Sequence, residues 1–281
     1  MDFIIDALKD GVVDSLRMLP FLFIAFLLLE AVEHYSEKHR DGLLSRIGGA
    51  GPVLGAVFGC VPQCGFSVAA ANLYSGGVIT LGTMLAVFWS TSDEAVLLLL
   101  GNPGNGRIVL RLILTKVIIG TGFGYLTDFL FRKSPLRRKK LGGICEDCGC
   151  EEEGGILKAA FHHTVQIFVY LLIFNCALNI LLEAVGIERL SELLLKNSVF
   201  QPVLAAVIGL IPNCAASVVL TELYLTGVLS FGSVIAGLLS GAGVGLAVLY
   251  RVNRHLKENL KITGILLLCA VVSGIFLQIF L

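Results

Sequence analysis

Charged residues are scarce in this chain of 281 residues, because only 15% of them are Asp, Glu, Lys or Arg. About a quarter of the residues of a soluble domain are charged. The chain is instead 56% hydrophobic and has a mean hydropathy of +0.87. This balance excludes an ordinary soluble domain and predicts an all-α integral membrane protein.

Three further features are missing, and each excludes a class of protein. Residues 1–17 carry four aspartates and are followed by no small-residue cleavage site, so we expect no secretory signal. No P-loop occurs, so nucleotide-driven transport is not indicated. The eight cysteines do not form a disulfide framework, and we expect free thiols. Nothing indicates a catalytic residue, a cofactor or a nucleic-acid partner, and a homo-oligomer is left open.

An internal repeat is present in the sequence. A shift of 150 positions lays residues 52–90 on residues 202–240 without a gap, with 17 identities at 39 positions. Because proline lacks a backbone N–H and breaks helices, the repeat predicts one helix-breaking element in each half. The matched residues at the breaks are Pro62 with Pro212, Gln63 with Asn213, Cys64 with Cys214, and Ser67 with Ser217.

The sequence divides into three predicted parts. Residues 1–131 form membrane repeat 1, residues 132–156 form a basic and Cys/Glu-rich cytoplasmic linker, and residues 157–281 form membrane repeat 2. Crossing helices need roughly 20 apolar residues. They are predicted at 16–32, 77–100, 108–131, 161–182, 228–250 and 262–281, with a basic loop at 251–261.

The basic loops predict the topology. Segments 132–140 and 251–261 are the richest in Lys and Arg, so both should face the cytoplasm. Loop 35–46 joins them only if residues 49–75 form a re-entrant hairpin; a broken crossing helix is the alternative. With hairpins, each half makes three crossings, so the halves are inverted and the two breaks meet near mid-bilayer. That is the architecture of secondary transporters.

Residues beside the breaks are the candidate substrate ligands. Backbone groups that lack a helical hydrogen-bond partner are tolerated at membrane depth only where protein surrounds them or they line a polar cavity. A structural kink would account for one buried cysteine, but the symmetric pair favours a binding site. The predicted substrate-binding residues are Gln63, Cys64, Ser67, Asn213, Cys214 and Ser217.

Charged residues in apolar runs are the candidates for a coupling ion or a cation. Asp93 and Glu94 lie late in one run, and an intramembrane carboxylate by default indicates a functional site. Lys116 is their candidate partner, and the alternative is a structural ion pair. Glu222 is a similar candidate nearer a helix end.

A third set of candidate metal ligands lies in the linker. Cys145, Cys148 and Cys150 fall within six residues among acids and glycines, and thiolates favour soft metal ions. The spacing lacks the second ligand pair of a structural zinc site, so delivery or sensing of a metal is predicted, or a simple acidic linker.

The motif Gly-Cys-Val-Pro-Gln-Cys-Gly-Phe-Ser at residues 59–67 resembles the ten-transmembrane heavy-metal exporters, often described as arsenic efflux proteins. The segments Ser-Thr-Ser-Asp-Glu at 90–94 and Ile-Pro-Asn-Cys-Ala-Ala-Ser at 211–217 support the same resemblance. It covers almost the whole chain and implies ten membrane segments, export of a heavy metal or metalloid, and a place in the bacterial inner membrane.

These observations together predict a secondary permease that exports a thiophilic metal or metalloid. One rival is a manganese-like divalent-cation carrier that uses Asp93, Glu94 and Glu222. Another is an intramembrane thiol redox protein that uses Cys60 and Cys64, although their spacing is one residue too long for a Cys-x-x-Cys pair. Uptake rather than export is a further alternative, because the repeat does not indicate direction.

Overall fold

The computed structural model describes three continuous regions of the chain. They are residues 49–100 without 62, 63 and 92; residues 105–131; and residues 200–280 without 213 and 254. Single positions between 12 and 27 and between 161 and 176 are also described, and all of these are helical. The statements below concern these residues, and they include no side chain at 64, 93, 94, 97, 214 or 215.

The three continuous regions contain helices and no strand. In chain order these are α1 (Gly51–Gly59), α2 (Cys64–Ser75), α3 (Leu81–Ser90), α4 (Asp93–Leu100), α5 (Gly106–Phe131), α6 (Gln201–Gly209), α7 (Cys214–Leu225), α8 (Phe231–Ser240), α9 (Val244–Val252) and α10 (Leu256–Phe280). The all-α prediction is confirmed. The order α1–α5 recurs in α6–α10 at the 150-residue offset of the sequence repeat.

Local sequence explains where these helices begin and end. α1 and α6 each carry a proline in their first turn, where the missing N–H costs no hydrogen bond. Thr80 and Ser230 cap α3 and α8, since each side-chain oxygen accepts from the backbone N–H three residues on. Gly77 and Gly227, with φ of 75° and 78°, make the turns before these caps.

Three stretches among the described residues are long and apolar enough to cross a membrane. They are Gly106–Phe131, Phe231–Val252 and Leu256–Phe280. The predicted spans at 108–131 and 228–250 are thereby confirmed in position, although α8 and α9 interrupt the second at residues 241–243. The predicted basic loop at 251–261 is wrong, because α10 already begins at Leu256 and carries Lys257 and Lys261 on its exposed first turns.

Burial separates a central stretch from two peripheral helices. In the most apolar part of the stretch formed by α8 and α9, 94% of the residues are buried, whereas the corresponding value is 28% in both α5 and α10. The outer faces of α5 and α10 expose large apolar side chains, among them Ile118, Phe129, Leu268 and Ile279. A contiguous exposed apolar surface of this kind is what a lipid-facing helix presents.

In each half three helices pack closely on one another: α1, α3 and α5 in the first half, and α6, α8 and α10 in the second. Close contacts of Gly51 with Thr83 and of Gly59 with Ser90 show that α1 and α3 run parallel, side by side. The chain therefore returns between them, through α2. A Cβ on Gly124 would lie 2.9 Å from Pro52 Cβ and 3.0 Å from the Gly82 oxygen.

The second half repeats this junction at equivalent positions. A Cβ on Gly274 would lie 3.0 Å from Pro202 Cβ and 2.8 Å from the Gly232 oxygen. The glycines in α5 and α10 thus allow three helix backbones to approach closely, as small residues do in membrane helix packing.

α3 and α8 run in opposite directions. Along α5, the Arg111 guanidinium lies over the Phe231 ring at the start of α8, and the Lys116 ammonium bonds the Leu238 oxygen near its end. Further along α5, Gly120 packs on Ser90 at the end of α3, and Gly124 packs on Gly82 at its start. α8 is therefore parallel to α5 and α3 is antiparallel to it.

The halves interlock through helices that follow the breaks. α2 packs against α9 of the other half, and α7 packs against α4 in the equivalent way. One continuous core joins the halves and includes Trp89, Leu112, Leu220 and Leu239, each fully buried.

Candidate functional site at the helix breaks

The two matched cysteines begin equivalent helices. Cys64 is the first residue of α2 and Cys214 the first of α7, and the described residues between the helices, 60–61 and 210–212, are not helical. Pro212 is half-buried in the second segment. Pro62, Gln63 and Asn213 lie outside the described residues, as do the side chains of both cysteines. The predicted helix breaks are confirmed, and the ligand roles stay predictions.

One turn into α2, Ser67 lies at the contact between the halves. Its side chain is fully buried, and a Cβ on Gly245 of α9 would lie 2.6 Å from Ser67 Cβ. The backbone of α2 therefore meets the backbone of α9 directly. Ser217, the matched residue in α7, is only partly buried, and its carbonyl accepts from the Thr221 hydroxyl.

Four helix ends lie at one depth in the bundle. α1 ends beside Ser90, the last residue of α3, and α6 ends beside Ser240, the last residue of α8. The Ser240 hydroxyl fixes the second pair by donating to the Ala206 oxygen at 2.6 Å. Interrupted helices leave polar backbone groups without partners in their own helix, so these helix ends need polar partners from elsewhere in the bundle.

Lys116 lies among these helix ends and connects the two halves of the protein. The residue is fully buried. Its ammonium donates to the Leu238 oxygen at 2.9 Å and to the Thr91 oxygen. Thr91 ends α3, and Leu238 lies in the last turn of α8. Because the carboxyl end of a helix is electronegative, a cation is favoured there.

Sequence reasoning missed a second polar contact between the halves. Trp89, the only tryptophan in the chain, donates from Nε1 to the Leu266 oxygen of α10 at 3.4 Å and is fully buried. A lone tryptophan in an apolar run could have suggested such a role, because a buried indole N–H needs an acceptor.

The comparison with protein-family models identifies the chain. The model described as "Putative, 10TM heavy-metal exporter" matches residues 1–189 and 163–281, and so spans the whole sequence in two overlapping parts. The chain belongs to this family. It is a multi-pass protein of the plasma membrane, and its exporter family implies a metal ion as the substrate. No curated protein and no solved structure matches it.

The carboxylates predicted for this exporter are only partly described. Asp93 and Glu94 are the first two residues of α4, so their backbone lies just beyond Thr91 at the helix ends. Their side chains lie outside the described residues, and their pairing with Lys116 stays a prediction. Glu222 is exposed on α7, about two turns after Cys214.

The other thiols that the sequence singled out are Cys60 and the three linker cysteines. Cys60 is half-buried, and its thiol donates to the Ala56 oxygen of its own helix at 3.2 Å. The linker cysteines Cys145, Cys148 and Cys150 lie outside the described residues. Among the residues that are described, no cluster of three His, Cys, Asp or Glu side chains could hold a metal.

Proposed function

We propose that this exporter is a secondary permease, not an enzyme, that moves a thiophilic heavy metal or metalloid of the arsenic type out of the cell. The observation that carries the proposal is the duplicated break. Each half places a Pro-Gln-Cys or Pro-Asn-Cys sequence at the start of α2 or α7, beside helix ends that lie at one depth.

The two halves act as inverted-topology repeats in this proposal. Their helices correspond one to one, and α3 and α8 run in opposite directions. The parallel course of α1 and α3 supports re-entrant hairpins, because the chain enters through α1 and returns through α2 without crossing. Transporters of this architecture hold their substrate near mid-bilayer, where the repeats meet.

Thiolate sulfur from Cys64 and Cys214 contacts the substrate, with the amides of Gln63 and Asn213 beside it. Soft ligands such as thiolate select soft ions over manganese, which prefers oxygen ligands. Ser67 and Ser217 lie one turn further along and line the same layer. The site is reached alternately from each side as one half moves against the other.

Energy for export comes from an ion gradient, because the sequence has no nucleotide-binding loop. Asp93 and Glu94 bind the coupling ion or balance the charge of the substrate. They begin α4, in the same layer as the buried ammonium of Lys116. The linker cysteines Cys145, Cys148 and Cys150 deliver or sense the metal outside the bilayer.

Transport in everted membrane vesicles tests the thiol site. Cys64→Ser combined with Cys214→Ser should lower the uptake of arsenite into such vesicles by roughly 10- to 100-fold, as loss of metal-site partners does. Cys60→Ser is the matched control, since it removes a thiol from the same element where the second half has Leu210. It should transport like the wild type.

The same vesicles separate the rivals. Asp93→Asn with Glu94→Gln should abolish manganese transport if the protein is a divalent-cation carrier, while the serine variants would leave it intact. Full arsenite transport by the double serine variant, at wild-type protein levels in the membrane, would remove the thiol site.

A further inference from the structure

A lysine side chain of the exporter, Lys116, is buried at the contact between the two halves. Lys116 has no exposed surface, and its ammonium lies on carbonyl oxygens from both halves. A buried charge is costly unless hydrogen bonds stabilise it, and these two oxygens contribute such bonds.

Those oxygens are helix-end carbonyls rather than ordinary backbone groups. The Leu238 oxygen would accept from the N–H of residue 242 in an unbroken helix. That N–H, from Ala242, bonds to the Ser240 oxygen instead, because α8 ends there. Thr91 is the residue that terminates α3. Both carbonyl oxygens can therefore accept from Lys116 because α3 and α8 end at these residues.

Unwound carbonyls and the carboxyl ends of half-helices are the groups with which secondary transporters coordinate a free Na⁺. Here the amine of the chain itself lies on such groups. The second half cannot supply an equivalent charge, since the position matched to Lys116 is Leu266. Lys116 therefore has no symmetric counterpart, and its ammonium is covalently attached to α5.

We propose that Lys116 is a tethered cation: its ammonium occupies a monovalent-cation site built from the carboxyl ends of α3 and α8. A free alkali ion is therefore not needed at this site for transport. The inference rests on the proposed function for its role in transport, but the cation site itself can be tested independently.

The test removes the tether and offers free cations. In purified Lys116→Ala protein, the melting temperature should rise saturably with methylammonium chloride or NaCl, and should not rise with choline chloride, whose cation is too large. The wild type should show no such difference between the three salts. Lys116→Leu, which copies the second half and fills the space, should show no saturable rise.

Transport provides the functional arm. Wild-type vesicles in choline medium should transport arsenite equally well with and without methylammonium. Lys116→Ala should lose roughly 10- to 100-fold in choline, since unpaired buried carbonyls destabilise the layer, and should recover in part with methylammonium. A merely structural lysine would lower the melting temperature and transport together, with no dependence on which cation is present.

The outcomes are distinguishable. Absence of saturable stabilisation in Lys116→Ala, or an equal saturable rise in the wild type, overturns the tethered cation. If Lys116→Ala does not fold in any salt, Lys116→Ser is titrated in its place, with the same two outcomes. If the wild type transports no metal, the proposed function fails while the melting titration still tests the cation site.

Discussion

The two halves of the exporter share a backbone plan but not all of their polar contacts. Helices α1–α5 recur as α6–α10 at a constant offset, and the Gly124 and Gly274 junctions are equivalent. The hydrogen bonds from Lys116 and Trp89 across the halves, however, both have their donor in the first half and their acceptor carbonyl in the second. The backbone arrangement is duplicated, whereas these two hydrogen bonds are not, because the positions matched to Trp89 and Lys116 are Leu239 and Leu266.

The start of α3 and the start of α8 are held by different residues. Asp128 of α5 accepts from the Thr80 hydroxyl at 2.7 Å and from the Gly82 N–H at 2.8 Å. In the second half Gln201, from α6, accepts from the Ser233 hydroxyl at 2.8 Å and from the Ser230 N–H at 3.2 Å. The same requirement, an acceptor at a helix N-terminus, is met by a different helix in each half.

The contacts between the halves also differ. The contact of α2 with α9 is more extensive than that of α7 with α4, and the glycine at 245 lies where the first half has Ala95. Loss of one methyl group lets the backbone of α9 reach Ser67. This contact involves α2, the helix that begins at Cys64.

The largest expected effect comes from making this contact symmetric. Gly245→Ala gives the second half the residue of the first, but its Cβ would lie 2.9 Å from the backbone oxygen of Ser67. Overpacking of this kind costs about 1–3 kcal/mol. We expect a lower melting temperature in detergent and weaker transport.

A glycine with open space around it is the matched control. Gly264 of α10 has no atom within 4 Å of a built Cβ, so Gly264→Ala should leave the melting temperature unchanged or raise it slightly through helix propensity. Equal losses in the two variants would contradict the close approach of α2 to α9.

An intermediate effect is expected at the start of α3. Asp128→Ala removes the acceptor of two hydrogen bonds at this helix end and should cost about 1–2 kcal/mol, the usual range for losing a cap. Gln278→Ala, at the matched position of α10, should cost less because Gln201 serves the second half. Thermal unfolding of the two variants measures the difference, and a greater loss in Gln278→Ala would reverse the comparison.

The smallest effect concerns the matched tyrosines. The Tyr74 hydroxyl donates to Glu258 Oε1 at 2.6 Å, whereas Tyr224 packs on the Phe231 ring. Tyr74→Phe should therefore cost about 1 kcal/mol, because Glu258 is partly exposed and keeps water as a partner. Tyr224→Phe should be close to neutral, and identical melting temperatures for the two variants would show that the hydrogen bond contributes nothing.

The sequence predicted the backbone plan better than the contacts. Proline at 62 and 212 and the 150-residue repeat indicate the breaks, because a missing N–H is a local property. The roles of Trp89, Asp128 and Gly245 depend on which helices meet, and one sequence does not encode that locally. The boundary at Leu256 was missed because basic residues on an exposed first turn of a helix resemble a loop in composition.

Membrane topology of the two hairpins tests the central claim most directly. In a variant with all native cysteines replaced, single cysteines at Ser75 and at the matched Leu225 can be labelled with a membrane-impermeant maleimide, from outside and in everted vesicles. Lys257→Cys serves as a reference, because Tyr74 beside Ser75 bonds Glu258 beside Lys257. The account predicts that positions 75 and 257 react from the cytoplasmic face and position 225 from the outside. Reaction of positions 75 and 225 from the same face would contradict inverted halves.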